Sequence, residues 1–172
     1  TNARIIDIGT GSGCIAISLA KNMPGAKVCG WDISENALRI ARQNAHDLNA
    51  TVSFQQTDIL HFTPEPKQKF DIIVSNPPYV CRNEQKTMEA NVLDYEPHLA
   101  LFVPDDDPLL FYRTIARIGQ QLLTSGGFLY FEINRQFGQE TAALLLENGY
   151  ENIEIIKDIS GNDRMVSARL KE

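Results

Sequence analysis

The stretch Arg4-Ile5-Ile6-Asp7-Ile8-Gly9-Thr10-Gly11-Ser12-Gly13 decides the fold. Residues 4–8 form a nearly continuous apolar run, as a central parallel strand buried on both faces requires. Residues 9–13 carry three glycines at alternate positions, a turn in which backbone can approach a ligand closely. The turn leads straight into helical periodicity over 13–21, so a ligand in the turn would also meet a helix N-terminus. Strand, glycine turn and helix in immediate succession begin a βαβ unit.

Working outward, the same alternation continues. Strands are expected at 4–8, 27–31, 52–56, 70–75, 128–133, 153–157 and 165–170, and helices at 13–21, 34–48, 108–123 and 136–147. Ser34 is an N-cap with Glu35 favourable in the first turn, and Ala37, Leu38, Ala41, Ala45 and Leu48 form the stripe that packs on the sheet. Gly161-Asn162-Asp163 is a turn signal with no room for a helix, so the last two strands should form an antiparallel hairpin. The expected fold is α/β and Rossmann-like, a mostly parallel sheet in the order 3-2-1-4-5 with one antiparallel strand in the C-terminal hairpin. Residues 1–172 suit one domain.

Composition narrows the function classes. A formal net charge of -6 and a pI near 5.1 argue against a nucleic-acid partner, which needs clustered Lys and Arg. Cys14, Cys29 and Cys81 form no CxxC pair and read as buried or incidental thiols of a reducing cytoplasm. His46, His61 and His98 have neither metal-ligand spacing nor nearby carboxylate partners, so no metal is expected. No apolar run reaches the roughly 18 residues of a membrane helix. A strand starting this close to the first residue suggests a domain cut from a longer chain.

Three strand ends should converge on one crevice at the carboxyl edge of the sheet, where ligands of doubly wound folds bind. The turn Gly9, Thr10, Gly11, Ser12, Gly13 has GxGxG spacing, and Cys14 stands where a dinucleotide fingerprint needs its last glycine, which lowers a nicotinamide reading. Asp7 can set a carboxylate near a cationic part of a ligand, directly or through water, or can simply bond loop amides. Asp32, about twenty residues beyond the glycines, suits ribose hydroxyls, with helix capping as the structural alternative. Asp58 with Ile59 suits a polar contact to an adenine amino group beside an apolar wall.

Asn76-Pro77-Pro78-Tyr79 follows the fourth strand at the same edge. Its prolines fix the backbone, so the Asn76 side chain and the Pro77 carbonyl offer two acceptors that match a planar NH2 group. Tyr79 offers a flat surface for stacking an amide or a base. The long connection 76–107 that follows is rich in proline and lacks sustained periodicity apart from a possible helix around 84–91, as functional loops often do.

In this order, Asp7 through Gly13, Asp32, Asp58 and Asn76-Pro77-Pro78-Tyr79 resemble class I amino-methyltransferases. Tyr95-Glu96-Pro97-His98-Leu99-Ala100-Leu101, Phe111-Tyr112 and Gly161 through Arg169 are similar, more narrowly, to the HemK/PrmC family. The resemblance covers essentially the whole chain. It implies S-adenosyl-L-methionine as cofactor, held by Asp7, Gly9 through Gly13, Asp32, Asp58, Ile59 and Asn76. It further implies a glutamine of the Gly-Gly-Gln motif in a peptide-chain release factor as acceptor, held by Asn76, Pro77, Pro78 and Tyr79. Asn76, Pro77 and Tyr79 would then be catalytic, and the setting cytoplasmic. The family's small helical N-terminal domain has no counterpart here, and residues 102–107 depart from the Gly-Asp-Gly text usual before the Phe-Tyr pair. Rival readings are an adenine or cytosine amino-methyltransferase acting on a flipped base, a non-catalytic cofactor-binding module, and a nicotinamide oxidoreductase.

Overall fold

A computed structural model describes residues 2–65, 67–81 and 102–172 of the chain. Among them the elements run β1 (Arg4–Ile8), α1 (Cys14–Asn22), β2 (Lys27–Asp32), α2 (Glu35–Asp47), β3 (Val52–Gln56), β4 (Phe70–Ser75), β5 (Val80–Cys81), β6 (Phe102–Val103), α3 (Leu110–Leu122), β7 (Leu123–Glu132), α4 (Gly138–Glu147), β8 (Tyr150–Lys157) and β9 (Asp163–Leu170). Seven strands form one sheet in the order β3-β2-β1-β4-β7-β9-β8, and β5 pairs with β6 in a separate ladder. The expected 3-2-1-4-5 order is thus present. The antiparallel member is β9, which lies between β7 and β8 and pairs antiparallel with both.

Alternation along β1 divides the core. Ile6 and Ile8 join Trp31, Ile73, Tyr112, Ile115, Leu129, Phe131 and Leu145 on the side of α3 and α4. Ile5 faces the other way and packs with Ala16, Val28, Leu19 and Phe54 on the side of α1 and α2. Both faces of a central parallel strand are therefore covered, as its apolar sequence requires. Within α2, Leu38, Ala41 and Ala45 are buried, and Ser34 Oγ accepts from the Ala37 amide at 3.2 Å, as the cap signal implied.

Several boundaries moved for physical reasons. Helix α1 starts at Cys14, because Gly13 sits in the left-handed region at φ 85 and acts as the cap. Strand β7 starts at Leu123 rather than at 128, because Thr124-Ser125-Gly126-Gly127 is not a free turn but an irregular strand start beside β4, with Gly126 at φ 72 and a register shift at Phe70/Ile72. Strand β8 begins at Tyr150, whose hydroxyl donates to the Ala116 carbonyl at 2.9 Å, and the chain recovers register through Asn152 at φ 51. The expectations for 84–91, Tyr95 through Ala100, Leu101 and His98 lie outside the described residues.

Candidate active site

The register of the sheet brings the two key turns together. Ile8 is the partner of Ser75, so Gly9 leaves β1 beside the point where Asn76 leaves β4. Ser75 Oγ donates to the Ile8 carbonyl at 2.6 Å and ties the two strand ends in the buried interior. A methyl group placed on Gly9 would lie 3.8 Å from the Asn76 carbonyl oxygen.

The glycine turn is held by three neighbouring elements. The Gly9 and Thr10 amides both donate to the Trp31 carbonyl, and the Gly13 amide donates to the Thr10 carbonyl. Asn44 of α2 donates its side-chain amide to the Ser12 carbonyl at 2.9 Å. Gly9, Gly11 and Gly13 take φ values of 74, 56 and 85, the left-handed region that favours glycine. Among the described residues a Cβ on Gly11 would meet nothing within 4 Å, so the turn borders open space there. Gly13, the cap of α1, has no side chain to bond the first amides, and the helix N-terminus is directed at the same place.

Two carboxylates brace this turn. Asp32 accepts from the Gly11 amide through Oδ2 and from the Ser34 amide through Oδ1, both at 2.8 Å. The capping bond considered from sequence is therefore made, and by the same carboxylate that reaches the glycine turn. Asp7 is buried; its Oδ2 accepts from Thr10 Oγ1 at 2.7 Å and from the Ala16 amide at 3.2 Å. Its Oδ1 is buried with no hydrogen-bond partner among the described residues. Desolvation pushes the Asp7 carboxyl up to about 6, opposed by its bonds to Thr10 and Ala16 and assisted by the nearby charge of Asp32.

Asp58 lies two residues beyond β3 and is turned onto its own loop. It accepts from the Leu60 amide at 3.0 Å and pairs with His61 Nδ1 at 2.8 Å, a bond that holds it below the usual carboxylate range. Ile59 is partly buried against the large core cluster. The expectation that His61 and His46 lack carboxylate partners is thereby corrected, since His46 Nδ1 lies 3.2 Å from Asp47. Both pairs join residues at most three apart in exposed positions, where chain proximity alone brings them together. Cys14 is exposed, 3.3 Å from Ser12 Oγ, and not a buried thiol; helix α1 starts at the open turn and turns this residue outward. Cys29 is half-buried.

In the second turn Asn76 is exposed, Pro77 buried, and Pro78 and Tyr79 half-buried. Tyr79 donates its hydroxyl to Glu132 Oε1 at 2.9 Å, and its carbonyl accepts from Asn134 Nδ2 at 3.1 Å. Burial and then the Glu132 charge push the Tyr79 phenol up to about 12, so it stays protonated near neutral pH. Sequence reading did not single out Glu132 or Asn134. The available signal was their place, polar residues at the carboxyl end of an otherwise apolar central strand.

A family model described as a methyltransferase domain matches residues 1–134. A release factor glutamine methyltransferase of Bacteroides thetaiotaomicron is 57% identical over 165 residues, 96% of this chain and 59% of that protein. A protein of the same name from Flavobacterium psychrophilum is 52% identical over 170 residues, 99% of this chain and 59% of its own length. The chain thus spans about three-fifths of the length of these curated relatives. A crystal structure of a methyltransferase from Pyrococcus furiosus shares the fold, with a TM-score of 0.71 at 16% identity over 99% of this chain and 76% of that one.

Proposed function

Because the chain belongs to the methyltransferase-domain family, we propose that it transfers a methyl group from S-adenosylmethionine to the side-chain amide nitrogen of a protein glutamine. The fold is the Rossmann-like class I fold of such enzymes. The acceptor proposed within this class is the glutamine of the Gly-Gly-Gln motif in a peptide-chain release factor, supported by the names of the two relatives. That substrate belongs to translation, which puts the reaction in the cytoplasm.

The carrying observation is the adjacency of the two turns, with Gly9 and Asn76 leaving register-paired strand ends tied by the Ser75 bond. A donor held in one turn and an acceptor held in the other would meet without any domain movement.

The residues present fit the cofactor. Gly11 borders open space, the partly buried Asp32 carboxylate keeps lone pairs beyond those given to Gly11 and Ser34, and Asp7 supplies a buried, incompletely partnered carboxyl. Gly9 through Gly13 would hold the methionine portion, Asp32 the ribose hydroxyls, and Asp58 with Ile59 the adenine. Asp7 acts through the turn it braces and through its charge. When bound, S-adenosylmethionine supplies an electrophilic methyl group on a positively charged sulfur.

Amide nitrogen is a weak nucleophile, because its lone pair is delocalised into the carbonyl. The Asn76 side-chain carbonyl and the Pro77 carbonyl would accept its two hydrogens, orient it, and favour the pyramidal, partly positive transition state. Pro77 and Pro78 keep those acceptors fixed, and Tyr79 gives the amide plane a surface. Tyr79 serves as a surface and not as a base, since its hydroxyl donates to Glu132 and its phenol, pushed up to about 12, keeps its proton near neutral pH.

Single-turnover transfer of labelled methyl to a release factor at saturating cofactor tests this reading. Asn76→Ala should slow transfer roughly a hundredfold to a thousandfold, the scale of one preorganised polar contact to developing charge. Cofactor affinity should change far less. Retention of more than about half the wild-type rate would be incompatible with a contact of that scale, and label appearing on nucleic acid instead of protein would favour base methylation.

A further inference from the structure

Three features lie outside the machinery described so far. Between α4 and β8 runs an open groove of about 650 Å³, which includes Ala143, Leu146, Ile153 and Ile155. Across β7 and β9 lie the exposed side chains Phe128, Tyr130 and Met165. The third is the polar cluster at the carboxyl end of β7, and it alone touches the reacting turn.

That cluster grips Tyr79 at two points. Glu132 Oε1 accepts from the phenol at 2.9 Å, and Asn134, two residues beyond the end of β7, donates its side-chain amide to the main-chain carbonyl at 3.1 Å. Both gripping residues are themselves held. Arg164 Nη1 lies 4.0 Å from Glu132 and is braced by Asp158, which its Nη2 and Nε approach at 3.3 and 3.4 Å. Asn134 is buried, its amide hydrogen goes to the Tyr112 hydroxyl at 3.3 Å, and its Oδ1 accepts from the Gln136 amide at 3.0 Å. The Ile133 amide donates to the Arg164 carbonyl at 2.9 Å, which ties this strand end to β9.

Such an arrangement has a mechanical consequence. Tyr79 follows two prolines, whose fixed φ angles leave few torsions between its main chain and the Pro77 carbonyl. Pinning Tyr79 at both its carbonyl and its hydroxyl therefore pins the acceptors at Asn76 and Pro77. A misplacement of about 1 Å at a reacting centre can cost on the order of a hundredfold in rate.

We propose that Glu132 and Asn134 are positioning residues, which lock the Asn76–Tyr79 turn in its amide-accepting geometry from the neighbouring strand. Neither touches the acceptor. The proposal rests on the reading of that turn as the glutamine site, and its test separates the two.

The experiment compares Glu132→Ala, Glu132→Gln, Tyr79→Phe and the Glu132→Ala/Tyr79→Phe double variant. Glu132→Ala should lower kcat for a release factor about tenfold to a hundredfold, the scale of one charge-assisted hydrogen bond. KM for the release factor and the dissociation constant for S-adenosylmethionine should stay within about threefold of wild type, well below that effect. Glu132→Gln keeps an acceptor for the phenol and should restore most of the rate. The double variant should be no slower than Tyr79→Phe alone, because the two residues act through one bond. Additive losses, a failed rescue by glutamine, or a matching loss of cofactor affinity would each overturn the proposal.

A second readout needs no methyl transfer. In protein labelled with 13C-tyrosine, the signal that Tyr79→Phe removes should titrate earlier in Glu132→Ala than in wild type, because the carboxylate that holds its proton is gone. An unmoved titration overturns the positioning role. Absence of transfer by the wild type overturns the glutamine reading instead.

Discussion

Asp7 carries a charge that the fold holds at a cost, and Asp7→Asn measures that cost. The carboxyl is raised from 3.8 to about 6, first by desolvation, with one oxygen shared between Thr10 and Ala16 and the other unpartnered among the described residues. A raised acid binds its proton more tightly when folded, so folding is favoured while the group is protonated. That contribution is full below about pH 4 and is lost as pH rises through about 6. Two pK units correspond to about 3 kcal/mol, of which about 2 kcal/mol falls between about pH 4.5 and pH 7.5.

Asparagine keeps the shape and an acceptor for Thr10 and Ala16, and it does not titrate. Urea unfolding of both proteins at the two pH values cancels the contributions of every other titrating group. The variant should gain about 2 kcal/mol on wild type in going from the lower pH to the higher. The gap between the proteins matters here, not the pH dependence of either alone. If that gap is the same at both pH values, Asp7 is not a desolvated acid, and the account of the turn as built around a buried charge fails.

Other perturbations follow from the same geometry. Affinity for S-adenosylmethionine should rise from about pH 5 to pH 8 in wild type and stay flat in Asp7→Asn, since a cationic ligand favours the ionised carboxyl; calorimetry that finds parallel profiles would remove Asp7 from that role. Asp32→Ala deletes the acceptor of the Gly11 and Ser34 amides together with the proposed ribose contact, so cofactor affinity should fall roughly tenfold to a hundredfold. An affinity within about twofold of wild type would contradict that contribution. Gly30→Ala would put a Cβ 2.8 Å from Phe54 ring carbons and 2.9 Å from Thr10 Oγ1, and should cost roughly 1 to 3 kcal/mol in unfolding experiments while loosening the Thr10 bond to Asp7.

The sequence disclosed the frame because the frame is set by patterns local to each element. The apolar run at 4–8 required two covered faces, and Ile5 and Ile6 do go to different clusters. The short turn at Gly161 forced a hairpin, which β8 and β9 form. In the candidate site, the placement of Asp32 and Asn76 at strand ends was legible. Placement was not legible where polar atoms meet across long separations: Tyr79 finds its partners 53 and 55 residues away. Periodicity reports which face a side chain takes, and says nothing about which donor meets which acceptor there. Residues 124–127, left outside both the expected helix and the expected strand, belong to β7 because the strand already meets β4 at Leu123 and shifts register before Phe128.

Charge at the glycine turn bears on the rival ligands. A dinucleotide sets a pyrophosphate against such a turn, and two negative charges there favour unopposed amides and a helix N-terminus. Here Asp32 already takes the Gly11 amide and Asp7 takes the Ala16 amide of the first helical turn. Each bond removes a donor that an anion would use and leaves a carboxylate where the anion would sit. Positive charge reverses both signs, because it relieves the desolvation of Asp7 and the repulsion between Asp7 and Asp32 together. The same two carboxylates disfavour phosphate at the turn, and the bonds that shape it suit the sulfonium and ammonium of the proposed cofactor.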